Sequence, residues 1–375
     1  MRLAIVPAVF AAILVTATTH LGTDYPWDAG PAINSLAHGD IHDFVADQAQ
    51  MGPLSLMVRA PLAALVGPSS IWAYRIGAFA CLLAVLALGG LLARRSGPRV
   101  AAIAATLLVV NPISLDALRL GHPEERLCSS LCVMALLFAR DRQVVAGILL
   151  GSALATKQWA LIAIAPVLIA APRDRRVLLS AVAGGVAFAV TLPMLIADPH
   201  AFISALDKPA FGLIEMRTGN LWGFAATSQT VALGGGHATV VYLVPAWLQH
   251  FAHPFVAAVT LGLGVAALRS RRAIDPLALL AMLMLVRCAL DPWNHAYYHA
   301  PFLAALVAWE VLEARRVPWL SAAGAAWLGI VFKLQLPMAD LLYAAWALPM
   351  LVWLSRRALR LEPVRAARPS PLAAA

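Results

Sequence analysis

The chain has 375 residues, of which 61% are hydrophobic and only 13% charged, with a net charge of +9 and a mean hydropathy of +0.79. Soluble globular domains carry roughly 45–50% apolar and about 25% charged residues, so this composition excludes that class. The positive charge does not point to nucleic acid, because the arginines sit in short clusters between apolar segments rather than on one basic face.

Only helices and closed barrels satisfy their backbone polar groups in lipid. The apolar runs here are long and lack the period-2 alternation of barrel strands, so the expected fold class is all-α, a polytopic membrane helix bundle. The stretch Met1–Thr19 has no clear small-residue cleavage site and reads as the first helix rather than a signal peptide. A span needs about 20 apolar residues. Twelve candidate transmembrane helices follow, at 3–20, 71–93, 100–115, 126–139, 143–157, 158–172, 177–196, 254–268, 274–290, 300–314, 318–334 and 339–355. The domain expectation is a single transmembrane unit over 1–355 and a basic, disordered cytoplasmic tail over 356–375. Pro53, Arg59 and Pro61 make 53–67 a poor span, and it is expected to lie on or dip into the outer leaflet.

Nineteen of the 28 basic residues fall in one set of connections: Arg2, the clusters at 94–99, 140–142, 173–176, 269–272 and 315–316, and the tail arginines. By the charge rule these connections and both termini are cytoplasmic. The other set holds all ten histidines and thirteen of the nineteen acids, and includes two long loops at about 21–70 and 197–253. Chemistry is therefore expected on the extracytoplasmic face. Cys81, Cys128, Cys132 and Cys288 are embedded in apolar sequence. Cys128 and Cys132, one helical turn apart, read as small packing residues in preference to a metal pair.

Four constellations carry candidate chemistry. In the first outer loop Asp24 and Asp28 follow the first helix, with Asp40, Asp43 and Asp47 further on and no basic side chain other than histidine before Arg59. A carboxylate at the end of a span can take a proton from a hydroxyl nucleophile, whereas a merely solvated acidic loop better explains the last three. The second constellation runs Asp116, Arg119, Gly121, His122, Pro123, Glu124, Glu125, Arg126. It suits a phosphate or a divalent cation, although the spacing of His122 with Glu124 or Glu125 does not specify a metal, and helix capping with ion pairing is the plain alternative. Third, Lys157 sits between two apolar stretches, a costly place unless it faces a cavity or a partner or snorkels to the surface. Fourth, Arg287 is followed by Asp291, Trp293, Asn294, His295, Tyr297, Tyr298 and His299. Guanidinium forks match phosphate oxygens and rings stack on sugars or headgroups, while an interfacial aromatic belt with Arg287 paired to Asp291 is the competing reading. The 197–253 loop carries Lys208, Arg217, Trp222 and Gly234-Gly235-Gly236-His237; without a following Lys-Ser/Thr this is no P-loop, and a lid is the expectation.

With these residues in view, the sequence resembles the GT-C membrane glycosyltransferases. The points of likeness are Asp24 just after the first helix and an amphipathic stretch through Ala32 and Leu36 to Gly39-Asp40. Pro53-Leu54, Gly67 and Ala73-Tyr74-Arg75 follow in the expected order. Within that superfamily, Gly121-His122 and the run Ala146-Gly147-Ile148-Leu149-Leu150-Gly151 to Lys157 look most like the polyprenol-phosphate-mannose-dependent mannosyltransferases of actinobacteria. The likeness covers residues 1–170 in motif order and only hydropathy beyond. Two departures are Met51-Gly52, where a lysine often precedes the Pro-Leu pair, and His122-Pro123-Glu124-Glu125 in place of a glutamine-containing run.

The resemblance implies transfer of a sugar, mannose in that branch, from a polyprenyl-phosphate donor to an extracytoplasmic lipid or polysaccharide acceptor. Asp24 would be the general base, with Asp28 beside it. Lys157 and Arg287, with Arg75 and Arg126 in reserve, are the expected phosphate-binding cations. His122, Glu124, Glu125, Trp293, Asn294, His295, Tyr297 and Tyr298 are the expected substrate-binding residues. No cofactor is required by this scheme, and a divalent cation stays open. The expected partners are the donor, a lipid or glycan acceptor and membrane lipids, with no nucleic acid. A transporter or lipid flippase is the competing function, although no internal repeat between the halves supports it.

Overall fold

The computed structural model describes residues 5–47, 51–207, 216, 218–233, 237–334 and 338–359. Expectations on Arg2, Lys208, Glu215, Arg217, the triple glycine and residues 360–375 lie outside them. Among the described residues the chain forms α1 (Val6–Thr18), α2 (Ala29–Ala37), α3 (Ile41–Ala46), α4 (Pro53–Val66), α5 (Ile71–Arg95), α6 (Pro98–Val109), α7 (Pro112–Leu120), α8 (Glu124–Phe138) and α9 (Gln143–Leu154). It continues with α10 (Ile164–Ala170), α11 (Arg176–Ala197), α12 (Pro199–Asp207), strands β1 (Thr227–Leu233) and β2 (His237–Leu243), α13 (Ala246–Arg269), α14 (Pro276–Leu290), α15 (Ala300–Leu312), α16 (Trp319–Val331) and α17 (Met338–Ala358).

Each of the twelve expected spans coincides with a helix, but several are shorter or broken. Among the described residues, five helical stretches are long and apolar enough to cross a membrane: 71–95, 98–120, 173–197, 246–269 and 338–358. The span expected at 100–115 is interrupted because Asn111 caps α7, its Oδ1 accepting from the Ser114 amide at 3.0 Å, and Pro112 occupies the first turn. Between α9 and α10 the chain leaves the α conformation at Ala155–Lys157 and passes through a 3-10 turn at Gln158–Ala163. The 197–253 connection is not wholly a loop. Thr227 to Leu233 pairs antiparallel with His237 to Leu243, in a segment rich in Thr, Val and Tyr that favours strands. α13 starts at Ala246 rather than 254, running through Pro254.

The layering follows from which helices are apolar all round. α8, α14 and α15 are buried on nearly every face and form the centre, with α14 packed on both α15 and α17. α11 and α13 are peripheral, with exposed apolar side chains such as Val177, Phe188, Leu261 and Leu263 available to lipid. α9 packs closely on α11 through Gly147 and Gly151, spaced four apart; a Cβ on Gly151 would sit 2.5 Å from the Ala183 carbonyl oxygen. In lipid, such small-residue faces let helices approach where hydrophobicity provides no drive. The glycines of the run leading to Lys157 thus have a packing role. The four cysteines are buried and free.

α4 is the main surprise of the first half. It packs against α2 and α5, and Arg59 points inward, 1% exposed, into space left by Gly77. The charge that counted against this segment as a span is a buried group of the site described next.

Candidate active site

Two close backbone approaches assemble the site. Gly22 lies against Gly121 so tightly that a Cβ on Gly22 would fall 2.3 Å from the Gly121 Cα, and Gly121 has a left-handed φ of +108°. The Asp24 amide then donates to the Leu120 carbonyl at 2.9 Å, setting Asp24 beside His122. Gly52 makes the second approach, its amide donating to the Thr156 carbonyl at 2.9 Å while Leu54 donates to Ala155 at 3.0 Å. That contact ties the start of α4, and hence Arg59, to the break that carries Lys157. Four segments distant in sequence converge this way.

Their side chains form a continuous chain of charges. Asp24 Oδ2 faces His122 Nε2 at 3.2 Å, and the His122 Nδ1 faces Glu124 Oε1 at 3.1 Å and Asp28 Oδ2 at 3.7 Å. Glu124 is fully buried and also meets Lys157 Nζ at 3.2 Å and Arg59 Nη1 at 3.4 Å. Lys157 reaches Glu125 Oε1 at 3.2 Å, and Glu125 Oε2 accepts from the Trp159 indole at 3.0 Å. Arg287 stacks over Trp159 and Tyr298, 5.4 and 4.6 Å from their ring centroids. Buried ions are tolerated only when paired and hydrogen-bonded, and each of these carboxylates has a cationic or N–H partner.

Three of these groups lie outside the spans and titrate abnormally. The hydrogen bond from His122 holds the Asp24 carboxyl below the ordinary range, so Asp24 is ionised at neutral pH. Burial pushes Asp28 up. Burial disfavours the His122 cation, yet its bonds to Asp24 and Glu124 outweigh that effect and raise its pKa to about 9.

Asp24 is the member of the chain open to a ligand. Its side chain is 43% exposed, against 8% for His122 and none for Glu124. It borders a cavity of about 800 Å³ lined also by Asp116, Arg119, Asn294, His295, Phe332 and Lys333.

The predicted residues are thus divided. Asp24, Asp28, His122, Glu124, Glu125 and Lys157 come together, and Arg287 joins them through Trp159. Tyr297 stacks on the His122 ring at 4.5 Å, and His295 stacks on Tyr297 at 5.2 Å. Two reserve cations serve elsewhere. Arg75 donates to the Thr19 carbonyl at 3.1 Å, capping the C-terminus of α1, and Arg126 is buried and donates to the Leu108 carbonyl. Trp293 packs beside His253, and Asn294 donates to the Gly219 carbonyl at 2.6 Å. Asp291 faces His253 at 3.8 Å and accepts from the Trp293 amide, and among the ion pairs of the described residues the Arg287–Asp291 pair of the competing reading does not occur. Among the described residues, no group of three or more His, Cys, Asp or Glu side chains has the arrangement of a metal site. The residues not foreseen are Arg59 and Lys333, the latter in the cavity wall. Arg59 had the signal of an arginine in an apolar run; Lys333 had none.

Comparison with known proteins agrees with this architecture. Two structures of ArnT from Cupriavidus metallidurans, one bound to undecaprenyl phosphate and one in the apo state, each superpose with a TM-score of 0.54. They are 16% and 18% identical and cover 96% of this chain and 76% and 74% of theirs, a likeness that establishes the GT-C membrane fold. A search of curated protein sequences finds no match. The model of glycosyltransferase family 87 matches residues 52–292, nearly two thirds of the chain. That stretch contains Arg59, His122, Glu124, Lys157 and Arg287, the groups that the fold gathers behind Asp24, and it decides against the transporter expectation. The chain belongs to glycosyltransferase family 87 and is a multi-pass membrane glycosyltransferase.

Proposed function

We propose that this enzyme transfers a sugar, mannose by the likeness of its motifs, from a polyprenyl-phosphate donor to a hydroxyl of a lipid or polysaccharide acceptor on the extracytoplasmic face. The observation that carries the reading is Asp24: an ionised carboxylate, half-exposed in the wall of a large cavity, backed by buried charges. Binding of undecaprenyl phosphate by ArnT, which shares the fold, supports a polyprenyl-phosphate donor. The arginine clusters on the opposite connections support an outward-facing site.

In the reaction the acceptor oxygen forms a bond to the anomeric carbon as its proton passes to Asp24. The bond from that carbon to the phosphate oxygen breaks, the electron pair leaves with the polyprenyl phosphate, and the configuration inverts. Phosphate is a weak base, so no second carboxylic acid is needed to protonate it, unlike the leaving alcohol of glycoside hydrolysis. Negative charge that builds on the leaving group needs cations aimed at it. Lys157 and Arg59 are committed to Glu124 and Glu125, so they set the potential behind Asp24. Arg119 and Lys333, in the cavity wall, take the role of meeting phosphate oxygens, with Arg287 further in behind Tyr298. Asp28, half-buried and shifted up, faces the Nδ1 side of the His122 ring at 3.7 Å.

The test is donor use by purified protein in lipid nanodiscs. Label is expected to move from polyprenyl-phosphate mannose into a lipid-extracted acceptor fraction, with inverted anomeric configuration and none from a nucleotide sugar. Transfer from the nucleotide sugar alone would overturn the donor class. Transfer from another polyprenyl-phosphate sugar alone would overturn mannose and leave the class standing.

A further inference from the structure

The His122 ring lies between carboxylates carried by two different segments. Its Nε2 is 3.2 Å from Asp24 and its Nδ1 3.1 Å from Glu124. An ionised carboxylate only accepts hydrogen bonds, so a ring with a carboxylate at each nitrogen is satisfied only when both nitrogens carry protons. The ring is also clamped in orientation, nearly parallel to Tyr297 at an interplanar angle of 21°. It does not line the cavity that Asp24 borders. A ligand that reaches Asp24 meets a carboxylate whose far side is already held.

We propose that His122 is a positioning residue, an imidazolium anchored on Glu124 that orients the Asp24 carboxylate and keeps it ionised for the acceptor hydroxyl. This inference rests on Asp24 being the base. It replaces the expectation that His122 binds substrate. The surroundings favour the cation. Asp24 and Asp28 face the ring from the first loop, Asp116 from α7 and Glu124 from α8. Against them stand Arg59 of α4, Lys157 after α9, and His295 with Tyr297 before α15. Arg59 and Lys157 approach Glu124 rather than Asp24, and among the described residues His122 is the cation placed to hydrogen-bond the base. A doubly protonated ring has no lone pair to give, so the proton taken from the acceptor stays on Asp24 and leaves from there to water in the cavity. His122 therefore acts through charge and geometry and not as a relay.

The distinguishing measurement is the pH profile of transfer by wild type and by His122→Gln, which keeps an N–H donor without the charge. Wild type is expected to lose activity on the alkaline side near pH 9, where the ring deprotonates. In the variant that alkaline limb disappears and the acid limb, which reports Asp24, moves up by roughly one pH unit or more. kcat falls about tenfold or more while KM for donor and acceptor changes less than about twofold. An unchanged profile, or a raised KM at constant kcat, overturns the proposal. Exchange of the His122 C2 hydrogen for deuterium, followed by mass spectrometry in the wild-type protein, needs no variant. A midpoint near 9 supports the charged ring, and one near the ordinary histidine value of about 6.5 refutes it. Activity retained by Asp24→Asn would instead remove the general base on which both readings depend, so the two failures are told apart.

Discussion

The two halves of the molecule each bury a polar cluster, and the clusters are built on opposite principles. In the first half Asp24, His122, Glu124, Arg59, Lys157 and Glu125 are charges that neutralise one another in sequence. In the second, Asp340 accepts from the Gly219 and Asn220 amides, Asn294 donates to the Gly219 carbonyl, Asn220 donates to the Pro292 carbonyl, and His299 bonds Tyr343 at 3.0 Å. That second cluster is almost entirely side chain to backbone. It fastens the 219–222 segment to the end of α14, to the turn that follows and to α17, and so shapes the cavity wall. Ion pairs in low dielectric create strong local potentials, whereas hydrogen bonds of this kind fix geometry. The proposed chemistry thus draws on the ionic cluster of the first half, while the cavity wall is shared, with Arg119 from α7 and His295, Phe332 and Lys333 from the second half.

Substitutions can sharpen or break that division. Lys157→Met leaves Glu124 and Glu125 short of a cation. Removing one partner of a buried ion pair costs about 3–5 kcal/mol, so a large fall in detergent unfolding temperature is expected together with loss of transfer. Arg119→Gln combined with Lys333→Gln should leave unfolding unchanged while raising the donor KM roughly tenfold, because phosphate contacts are lost from an exposed wall. If donor KM is unaffected, the phosphate-facing role of these two wall cations is wrong. Asp340→Ala removes two backbone hydrogen bonds to a charged acceptor, a loss of about 1.5–3 kcal/mol that should appear in stability with kcat within about threefold of wild type. If it abolished transfer while the protein stayed folded, the structural assignment of the second cluster would fail. A separate effect is a pH dependence of stability. His122 titrates at about 9 folded, above its unfolded value near 6.5. Its contribution is complete below about pH 6.5 and is lost as pH rises through 9. Unfolding temperature should therefore decline between neutral pH and about 10, less steeply in His122→Gln.

Much of the first cluster was readable from residue type and place. Asp24 stands where an apolar helix ends, Lys157 interrupts an apolar run, and His122 and Glu124 adjoin a glycine between two spans. Each is costly in lipid without a purpose, and that cost is visible in one dimension. Partnership is not. Arg59 looked like a charge that spoils a span, because only the packing of α4 on α5 shows that Gly77 leaves it room. Arg75 and Arg126 stood in reserve behind Lys157, and they bond the Thr19 and Leu108 carbonyls instead. The approaches of Gly22 to Gly121 and of Gly52 to Ala155 join segments about 100 residues apart, and no local pattern announces such contacts. The helix break before Pro112, by contrast, was marked by an Asn-Pro pair, which caps and starts a helix.

In the proposed reaction Asp24 is the group that takes the acceptor proton. Single-turnover transfer by Asp24→Asn, with donor preloaded in nanodiscs and folding verified by its unfolding temperature, tests that directly. The carboxylate accounts for a general-base contribution of roughly 10²–10⁴-fold. A fall of that size at unchanged donor affinity is the expected result, and transfer at the wild-type rate would contradict the account.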